Sequence, residues 1–496
     1  MAMAIQPSTA PSIPRTYRSA MASPEALDWT LAIQLELLAM DRLGVWSIVP
    51  IPAVCHLLGT IWVFCKKYAA NGNLVKFKAR LCAQGSAQQE GIDFTETYAP
   101  TSCLAALRTA LTVGINASMD IHQMDVRNAF LNGKLDEEIY LRCPSGLKAP
   151  PGTCLKLHKS IYGLKQAPRV WYNKLSAFFD SINFVSSPAD PCLFISRPPG
   201  WEFLVHVYVD DMAIISHDVA RFKKLVNDFF LMDNLGPADS LLGMKIKRHK
   251  DFLTLSQEQY VSELLTKYNL QSSQTVSTPM VPNTCTAGIN RSNTAARAVL
   301  EQPCSTGVRT DTVRPKREPT GRTDLSDRSR LVLCNRSQEL IGQACPTRRQ
   351  CCLDLASDEE MAAFNNLNVS YRTKDYAIRI GGGDKVFRIY TDADWANCSE
   401  TCRSYSGYLV TWGDSIIAWK AKKQATVSTL TTEAEYCALY DRVHEAIWLQ
   451  SLMQSITGAS IYPIDIFTNN QAALALSRNP LANQRTKHID VKFHFI

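Results

Sequence analysis

Two adjacent aspartates, Asp210 and Asp211, interrupt the apolar run HVYVDDMAI over residues 206–214. Such a pair has two interpretations, a solvent-exposed hairpin turn, where Asp is common, or two carboxylates aimed at a divalent cation. A third acid, Asp125, follows an apolar-leaning strand in the upstream segment HQMDVRNAFLNG. Two-metal phosphoryl transfer requires carboxylates from separate strands to converge on two Mg²⁺ ions about 4 Å apart. The three acids are the kind of arrangement that a Mg²⁺ or Mn²⁺ site for phosphoryl transfer requires, and an exposed turn remains the alternative for the Asp pair.

The segments that must position these acids read as mixed helices and strands. Residues 24–42 carry Leu, Ile and Met at helical spacing, and TIWVFCKK and LVKFKARLCA, separated by AANGNL, predict a basic β-hairpin with an Asn-Gly turn. Residues 43–64 lack acidic residues, Lys and Arg and are long enough to span a membrane. Because Pro50, Pro52 and His56 interrupt them, we predict strands and loops there and no membrane contact.

Length and composition set broad limits. The 496 residues suffice for two or three domains, and the net charge of +7 is compatible with a nucleic-acid partner or simply with a solvated surface. Sixteen cysteines without a paired C-x-x-C pattern indicate reduced thiols in an intracellular protein. The N-terminus lacks the apolar stretch of a secretory signal.

The composition changes after about Leu270. Residues 269–363 contain no Phe, Tyr or Trp, and residues 281–350 contain eleven Arg but a single Lys. This block is either a disordered linker, which low aromatic content favours, or the product of a shifted reading frame; neither predicts a packed core. Strand-like alternation resumes with DYAIRIGGGDKVFRIYTDADW, and the final VKFHFI predicts a truncated C-terminus.

Three ordered blocks, QMDVRNAFLNG, SIYGLKQAPRVWY and YVDDM, resemble the polymerase motifs of copia-type retrotransposon reverse transcriptases. KARLCAQGSAQQEGIDFTETYAP before them and NLGPADSLLGMKI after them are similar to the same family. The resemblance covers residues 14–280. It implies an α+β fold, the palm and fingers of a right-hand reverse transcriptase, and RNA template, DNA primer and deoxynucleoside triphosphates as partners.

The resemblance also implies roles for individual residues. Asp125 and Asp210 would be metal ligands and Asp211 a third acid, while Phe130 would be the steric gate against a ribose 2′-hydroxyl unless it is simply a core aromatic. The remaining implied substrate residues lie under the templating base pair (Gly163, Lys165), at the incoming triphosphate (Lys78, Arg80) and in the primer grip (Leu242, Gly243, Met244). A solvated strand face is an alternative for Lys78 and Arg80.

Further downstream, YTDADWA, TLTTEAEYCAL, FTNNQAALAL and RTKHIDVKFHFI resemble the RNase H domain of copia-type polyproteins. A mixed α/β RNase H-like domain is therefore expected over residues 371–496. It would hold Mg²⁺ with Asp392, Glu435 and Asp490 and would cleave the RNA strand of an RNA–DNA hybrid. One position departs from the family, because Asn469 stands where the pattern has a metal-binding Asp. An amide supplies no negative charge, so metal affinity and activity should fall.

The expected organisation is a disordered tail (1–13), reverse transcriptase fingers, palm and start of the thumb (14–280), an aberrant linker replacing the connection (281–370) and a truncated RNase H-like domain (371–496). The predicted function is an RNA-directed DNA polymerase of a retrotransposon with an impaired RNase H. Two alternatives remain open, a catalytically inactive relic and a nucleic-acid-binding remnant. The sequence determines neither the oligomeric state nor whether the intracellular location is cytoplasmic (particle-associated) or nuclear.

Overall fold

The structure is a computed structural model that describes residues 13–68, 73–196, 203–267, 375–396, 398, 401–459 and 463–478. The predicted linker of residues 281–370, the predicted tail except residue 13, and Asp490 lie outside the described residues. The described residues form a mixed α/β structure with several sheets, which confirms the predicted mixture of helices and strands. The described parts of Met1–Gln257, Tyr376–Asn397 and Arg403–Ile496 form one compact unit, and a second unit contains the helix Glu258–Lys267.

The helices and strands have the following bounds. The helices are α1 (Tyr17–Met21), α2 (Ala26–Arg42), α3 (Leu104–Asn116), α4 (Ala167–Ser181), α5 (Val219–Asn227), α6 (Glu258–Lys267), α7 (Thr431–Thr457) and α8 (Gln471–Arg478). The strands are β1 (Trp46–Pro50), β2 (Leu57–Leu58), β3 (Thr60–Tyr68), β4 (Leu74–Ala83), β5 (Asp120–Val126), β6 (Tyr140–Arg142), β7 (Thr153–Leu157), β8 (Phe184–Ser186), β9 (Leu193–Ser196), β10 (Phe203–Tyr208), β11 (Asp211–Ser216), β12 (Met232–Pro237), β13 (Ser240–Leu241), β14 (Met244–Arg248), β15 (Leu253–Ser256), β16 (Ala377–Ile380), β17 (Phe387–Ala393), β18 (Tyr405–Trp412), β19 (Ser415–Lys423) and β20 (Asp465–Thr468).

The N-terminal helix and the basic hairpin form as predicted. Helix α2 packs on one face of the antiparallel β3–β4 hairpin, where the ring of Trp29 meets the rings of Phe64 and Phe77 edge-on at 5.1 and 4.7 Å. Alternation along β4 buries Ala79 and Leu81 on this face and turns Lys78 and Arg80 to the other. The hairpin thus presents a basic face that the helix does not cover.

The predicted strands in residues 43–64 are also confirmed, since β1, β2 and the start of β3 occupy this segment. Strands β1 and β2 join β6 and β7 in a four-stranded sheet with the order β1-β7-β6-β2. In the part of the chain that the structure describes, no helix combines the length and apolar character needed to cross a bilayer.

A six-stranded antiparallel sheet with the order β12-β5-β11-β10-β9-β8 lies at the centre. Helix α3 covers one face, where its Leu107 and Leu111 share a hydrophobic cluster with Ile215 of β11. Helices α4 and α5 cover the other face through the stacked rings of Phe179 and Phe222, whose centroids lie 6.1 Å apart. Helices on both faces hold the strands rigidly, so side chains at the strand ends have defined positions.

Residues downstream of the aromatic-poor block pack against this sheet. Strand β16 pairs with β15, and the C-terminal sheet has the order β19-β18-β17-β20, with β17 and β20 parallel and the other pairs antiparallel. One hydrophobic cluster joins Leu111 of α3, Leu253 of β15 and Leu449 of α7. In addition, the Arg108 guanidinium of α3 donates to the Ile417 carbonyl of β19 at 3.1 Å. The central sheet and the C-terminal sheet therefore share one core.

Candidate functional site

Three carboxylates form a row across neighbouring strands of the central sheet. Asp125 of β5 is the direct partner of Asp211 on β11 and of Asp233 on β12. Directly opposed residues of antiparallel strands point to the same face, with Cβ atoms about 5 Å apart. The register therefore puts Asp211, Asp125 and Asp233 side by side on one face, at the end of the sheet where β10 turns into β11.

The hairpin turn that carries Asp210 is strained and firmly held. Tyr208 pairs with Asp211 around the two-residue loop Val209–Asp210, and Val209 has a φ of 60°. A β-branched residue in this left-handed region costs on the order of 1–3 kcal/mol and persists only where its surroundings hold it. Two hydrogen bonds do so here, from Trp171 Nε1 to the Val209 carbonyl at 2.6 Å and from the Val126 amide to the Asp210 carbonyl at 2.9 Å. The second bond ties Asp210 to the end of β5 that carries Asp125.

The acids repel one another electrostatically. Burial, and after it the negative charges of Asp210, Asp211 and Asp233, together raise the pKa of Asp125 to about 6. Burial and the Asp210 charge also raise the pKa of Asp211, although a hydrogen bond from Gln123 opposes the shift. Lys78 of β4 lowers the pKa of Asp125, so its ammonium lies within electrostatic range of the acids.

Asp233 was not anticipated from the sequence. Arg127 Nε donates to its Oδ1 at 2.7 Å, and this hydrogen bond holds the pKa of Asp233 below its usual value. Asp233 follows Asp125 by more than a hundred residues, and only the β5–β12 register brings the two together. The Asp in LMDNLGP resembles any exposed loop acid, so the sequence contained no usable signal for it.

The donor set suits a hard divalent cation. Among the residues that the structure describes, no group of three or more His, Cys, Asp or Glu side chains is close enough to hold a metal ion as it stands. Carboxylate oxygens are nevertheless the ligands that Mg²⁺ prefers. Burial and the neighbouring negative charges both disfavour the ionised form of Asp125, and a bound cation would favour that form. The residues present therefore fit the metal.

Phe130 lies beside the hairpin turn. Its half-buried ring meets Tyr162 edge-on at 5.4 Å, and with Trp171 and Val209 it lines a small cavity of about 50 Å³. The Ser160 hydroxyl donates a hydrogen bond to the Phe130 carbonyl, which fixes the main chain at Phe130. Phe130 is thus both packed against the core and adjacent to the turn that carries Asp210.

The two predicted triphosphate residues occupy the uncovered face of the hairpin. Burial lowers the pKa of Lys78, and the positive charges of Arg80 and Lys76 add to the effect. The Arg80 guanidinium lies 5.2 Å from the centre of the Tyr162 ring. An anionic ligand at this face would relieve the repulsion between the cations.

Gly163 and Lys165 contact β4 and the residues that follow it. Gly163 has a φ of 89°, and a Cβ at this position would lie 2.2 Å from the Ala83 carbonyl oxygen of β4. The Lys165 amide donates to Gln88 Oε1 at 2.7 Å, and its ammonium donates to the Gln88 carbonyl at 3.2 Å. Both residues therefore tie the loop before α4 to the end of β4 and the residues that follow it, a contact that motif reasoning did not specify.

The segment Leu242-Gly243-Met244 forms the tight turn between β13 and β14. Leu241 pairs with Met244, and the two loop residues Leu242 and Gly243 have φ values of 51° and 75°. Positive φ at both loop residues matches the strand twist of an antiparallel hairpin. Within the part of the chain that the structure describes, this turn forms no hydrogen bond or ion pair with the row of acids.

A second group of polar residues lies on the C-terminal sheet. Asp392 is on β17 and Glu435 on the first turns of α7, where Glu435 is buried. The pKa of Glu435 is raised to about 7, mainly by burial and also by the charge of Asp392 and a hydrogen bond with it, although a hydrogen bond from the Ala393 amide opposes the shift. Asn469 Nδ2 donates to Asp392 Oδ1 at 3.1 Å. Three of the four predicted positions are therefore neighbours, and the fourth, Asp490, lies outside the described residues.

Comparison with known proteins agrees with the residue patterns. Residues 43–282 match the family described as Reverse transcriptase (RNA-dependent DNA polymerase). The Retrovirus-related Pol polyprotein from transposon TNT 1-94 of Nicotiana tabacum is 32% identical over 497 residues, which cover 97% of this chain and 36% of that protein. The Retrovirus-related Pol polyprotein from transposon RE1 of Arabidopsis thaliana is 31% identical over 502 residues, which cover 98% of this chain and 32% of that protein.

The chain thus spans about a third of the length of these curated relatives. The family match falls on the region that contains the basic hairpin, the central sheet and the row of acids. The chain belongs to the copia-type retrotransposon Pol polyproteins, and residues 43–282 are its reverse transcriptase domain.

Proposed function

We propose that this chain is an active RNA-directed DNA polymerase, which extends a DNA primer on an RNA template with deoxynucleoside triphosphates. The observation that carries the proposal is the pairing of Asp125 with Asp211 beside the tethered turn at Asp210. These acids lie inside the region that matches the reverse transcriptase family. Converging carboxylates on a rigid sheet are what two-metal nucleotidyl transfer requires.

Asp125, Asp210 and Asp211 would hold the divalent cations, Mg²⁺ or Mn²⁺. When bound, the cations would favour ionisation of the primer 3′-hydroxyl and neutralise charge on the triphosphate. The protein's own contribution is to hold three carboxylates in alignment despite their repulsion. The strand register and the two hydrogen bonds to the turn support this role.

The basic face of the fingers hairpin would bind the triphosphate. Lys78 and Arg80 lie on this face, and Lys78 is within electrostatic range of Asp125. Phe130, next to the turn, would exclude a ribose 2′-hydroxyl by its bulk. Gly163 and Lys165 would support the templating pair from the fingers–palm contact, and the Leu242-Gly243-Met244 turn would contact the primer strand.

Primer extension by the purified full chain tests this function. Asp210→Asn should abolish Mg²⁺-dependent extension, because the loss of one ligand charge weakens metal binding. Asp228→Asn is the matched control, since Asp228 is an exposed acid at the end of α5 and should be dispensable. A folded parent chain that extends no primer would overturn the proposal. In that case, metal-independent binding of nucleic acid would indicate a binding remnant, and its absence an inactive relic.

A second candidate activity is hydrolysis of the RNA strand of an RNA–DNA hybrid by the C-terminal sheet and its helices. Asp392 and Glu435 support it as neighbouring acids, and Asp490 would complete the set. A groove of about 660 Å³ between β18, β19 and α7 adds a basic surface that suits a phosphate backbone, lined among others by Lys420, Lys422 and Arg442.

We expect this hydrolase to be impaired by Asn469. The Asn469 amide donates to Asp392 Oδ1, which occupies a lone pair that a metal would need, and the amide contributes no negative charge. Asn469→Asp should raise hybrid cleavage, most visibly at low Mg²⁺. Asn470→Asp adds the same charge one residue away, at a side chain whose Oδ1 accepts from the Ala473 amide, and serves as the control. Equal cleavage by the parent chain and Asn469→Asp would refute this assignment.

A further inference from the structure

Gln123 is a buried polar side chain beside the row of acids that no role above explains. It lies on β5, two residues before Asp125, and is 8% exposed. Residues two apart on a strand share a face, so Gln123 faces the same way as Asp125. Its Nε2 donates to Asp211 Oδ1 at 3.3 Å.

The neighbours of Gln123 leave space for this contact. Its direct partners on the two flanking strands are Ala213 and Gly236, which have the smallest side chains available. A Cβ added at Gly236 would meet nothing within 4 Å. The Gln123 side chain can therefore extend diagonally along the sheet toward Asp211 without displacing a larger residue.

The Gln123 amide can bond to the Asp211 carboxylate in only one orientation. An ionised carboxylate only accepts hydrogen bonds, so the amide NH₂ must face it. The bond restrains one carboxylate oxygen and leaves the other for a cation. A neutral amide does this without adding charge, whereas a Lys in its place would compete with the metal.

We propose that Gln123 is a positioning residue for the polymerase site, which holds the Asp211 carboxylate in the orientation that binds a divalent cation. This inference rests on the proposed polymerase function for its purpose, but its geometry can be tested separately. Partners that orient metal ligands typically contribute about 10- to 100-fold in metal affinity or activity.

The test is Mn²⁺ binding to the full chain, followed by electron paramagnetic resonance, in an Asp392→Asn background that removes one of the C-terminal acids. Gln123→Met keeps the length of the side chain but cannot donate, and it should weaken Mn²⁺ binding about 10-fold. Ser216→Ala is the matched control, because it deletes a hydrogen bond to the Asp218 amide at the far end of β11. It should leave the affinity unchanged. If Gln123→Met does not fold, Gln123→Asn, which is too short to reach Asp211, should show the same loss.

An Asp211→Ala background separates positioning from general support. If Gln123 acts through Asp211, Gln123→Met should cause no further loss of affinity there; an equal loss in both backgrounds would overturn the inference. Unchanged Mn²⁺ affinity in a folded Gln123→Met chain would also overturn it, as would a parent chain whose palm binds no Mn²⁺. A parent chain that binds Mn²⁺ but extends no primer would refute the polymerase function alone, and the binding comparison would still decide the role of Gln123.

Discussion

The shared core makes a strong prediction about stability, which Leu449→Ala tests. Leu449 lies on α7, is fully buried, and belongs to the cluster that also contains Leu107 and Leu111 of α3. Truncation leaves a cavity at the junction of the two sheets. The substitution should therefore weaken the central sheet as well as the C-terminal one.

The size of the effect follows from burial. A fully buried Leu→Ala substitution typically costs about 2–5 kcal/mol, of which part is the cavity. For a unit of this size each kcal/mol lowers the melting temperature by about 2 °C, so a loss near 3 kcal/mol corresponds to roughly 6 °C. Ile447→Ala, two residues earlier on the same helix, is the matched control. Its side chain is 49% exposed, so the change should cost less than about 0.5 kcal/mol.

Hydrogen exchange followed by mass spectrometry gives the decisive readout, because it reports on each segment separately. In Leu449→Ala, the amides of α3 (Leu104–Asn116) should lose protection together with those of α7, and the chain should melt in a single transition. The reasoning is refuted if α7 loses protection while α3 keeps that of the parent. Such a result would mean that the two sheets unfold independently despite their contact.

Three further predictions concern single residues. The pKa of Asp125 is raised to about 6, so its ionisation destabilises the fold as pH rises through that value. Asp125→Asn should therefore stabilise the folded chain by about 1 kcal/mol at pH 8, after allowance for solvent screening. Below pH 4 the substitution should give no such gain. Denaturant unfolding at the two pH values measures this, and equal effects at both would contradict it. Gly163→Ala should destabilise the folded chain by at least about 2 kcal/mol, because its Cβ would overlap the Ala83 carbonyl. Gly152→Ala is the control and should cost about 1 kcal/mol, since Gly152 has a φ of 76° but open space around it. Similar melting temperatures for the two variants would refute the steric argument. Phe130→Ala should admit ribonucleotides in primer extension, and unchanged sugar discrimination would remove the ring from the gate.

The sequence alone was enough for features that depend on local pattern. The 3.6-residue spacing predicted α2, and strand alternation around an Asn-Gly pair predicted the β3–β4 hairpin. Ordered motifs around Asp125 and Asp210 predicted the family, because each motif is contiguous and its residues are adjacent in the chain. These inferences needed no knowledge of which strand pairs with which.

Only the tertiary structure decided the features that depend on pairing between distant segments. Asp233 and Gln123 belong to the neighbourhood of Asp125 because β12 and β11 flank β5 in one particular register. A shift of one residue would turn every side chain of a strand to the opposite face, and local sequence does not specify that register. The common core of α3 and α7 also depends on contacts between distant segments. The apolar character of a residue predicts that it will be buried, but it does not predict against which partner.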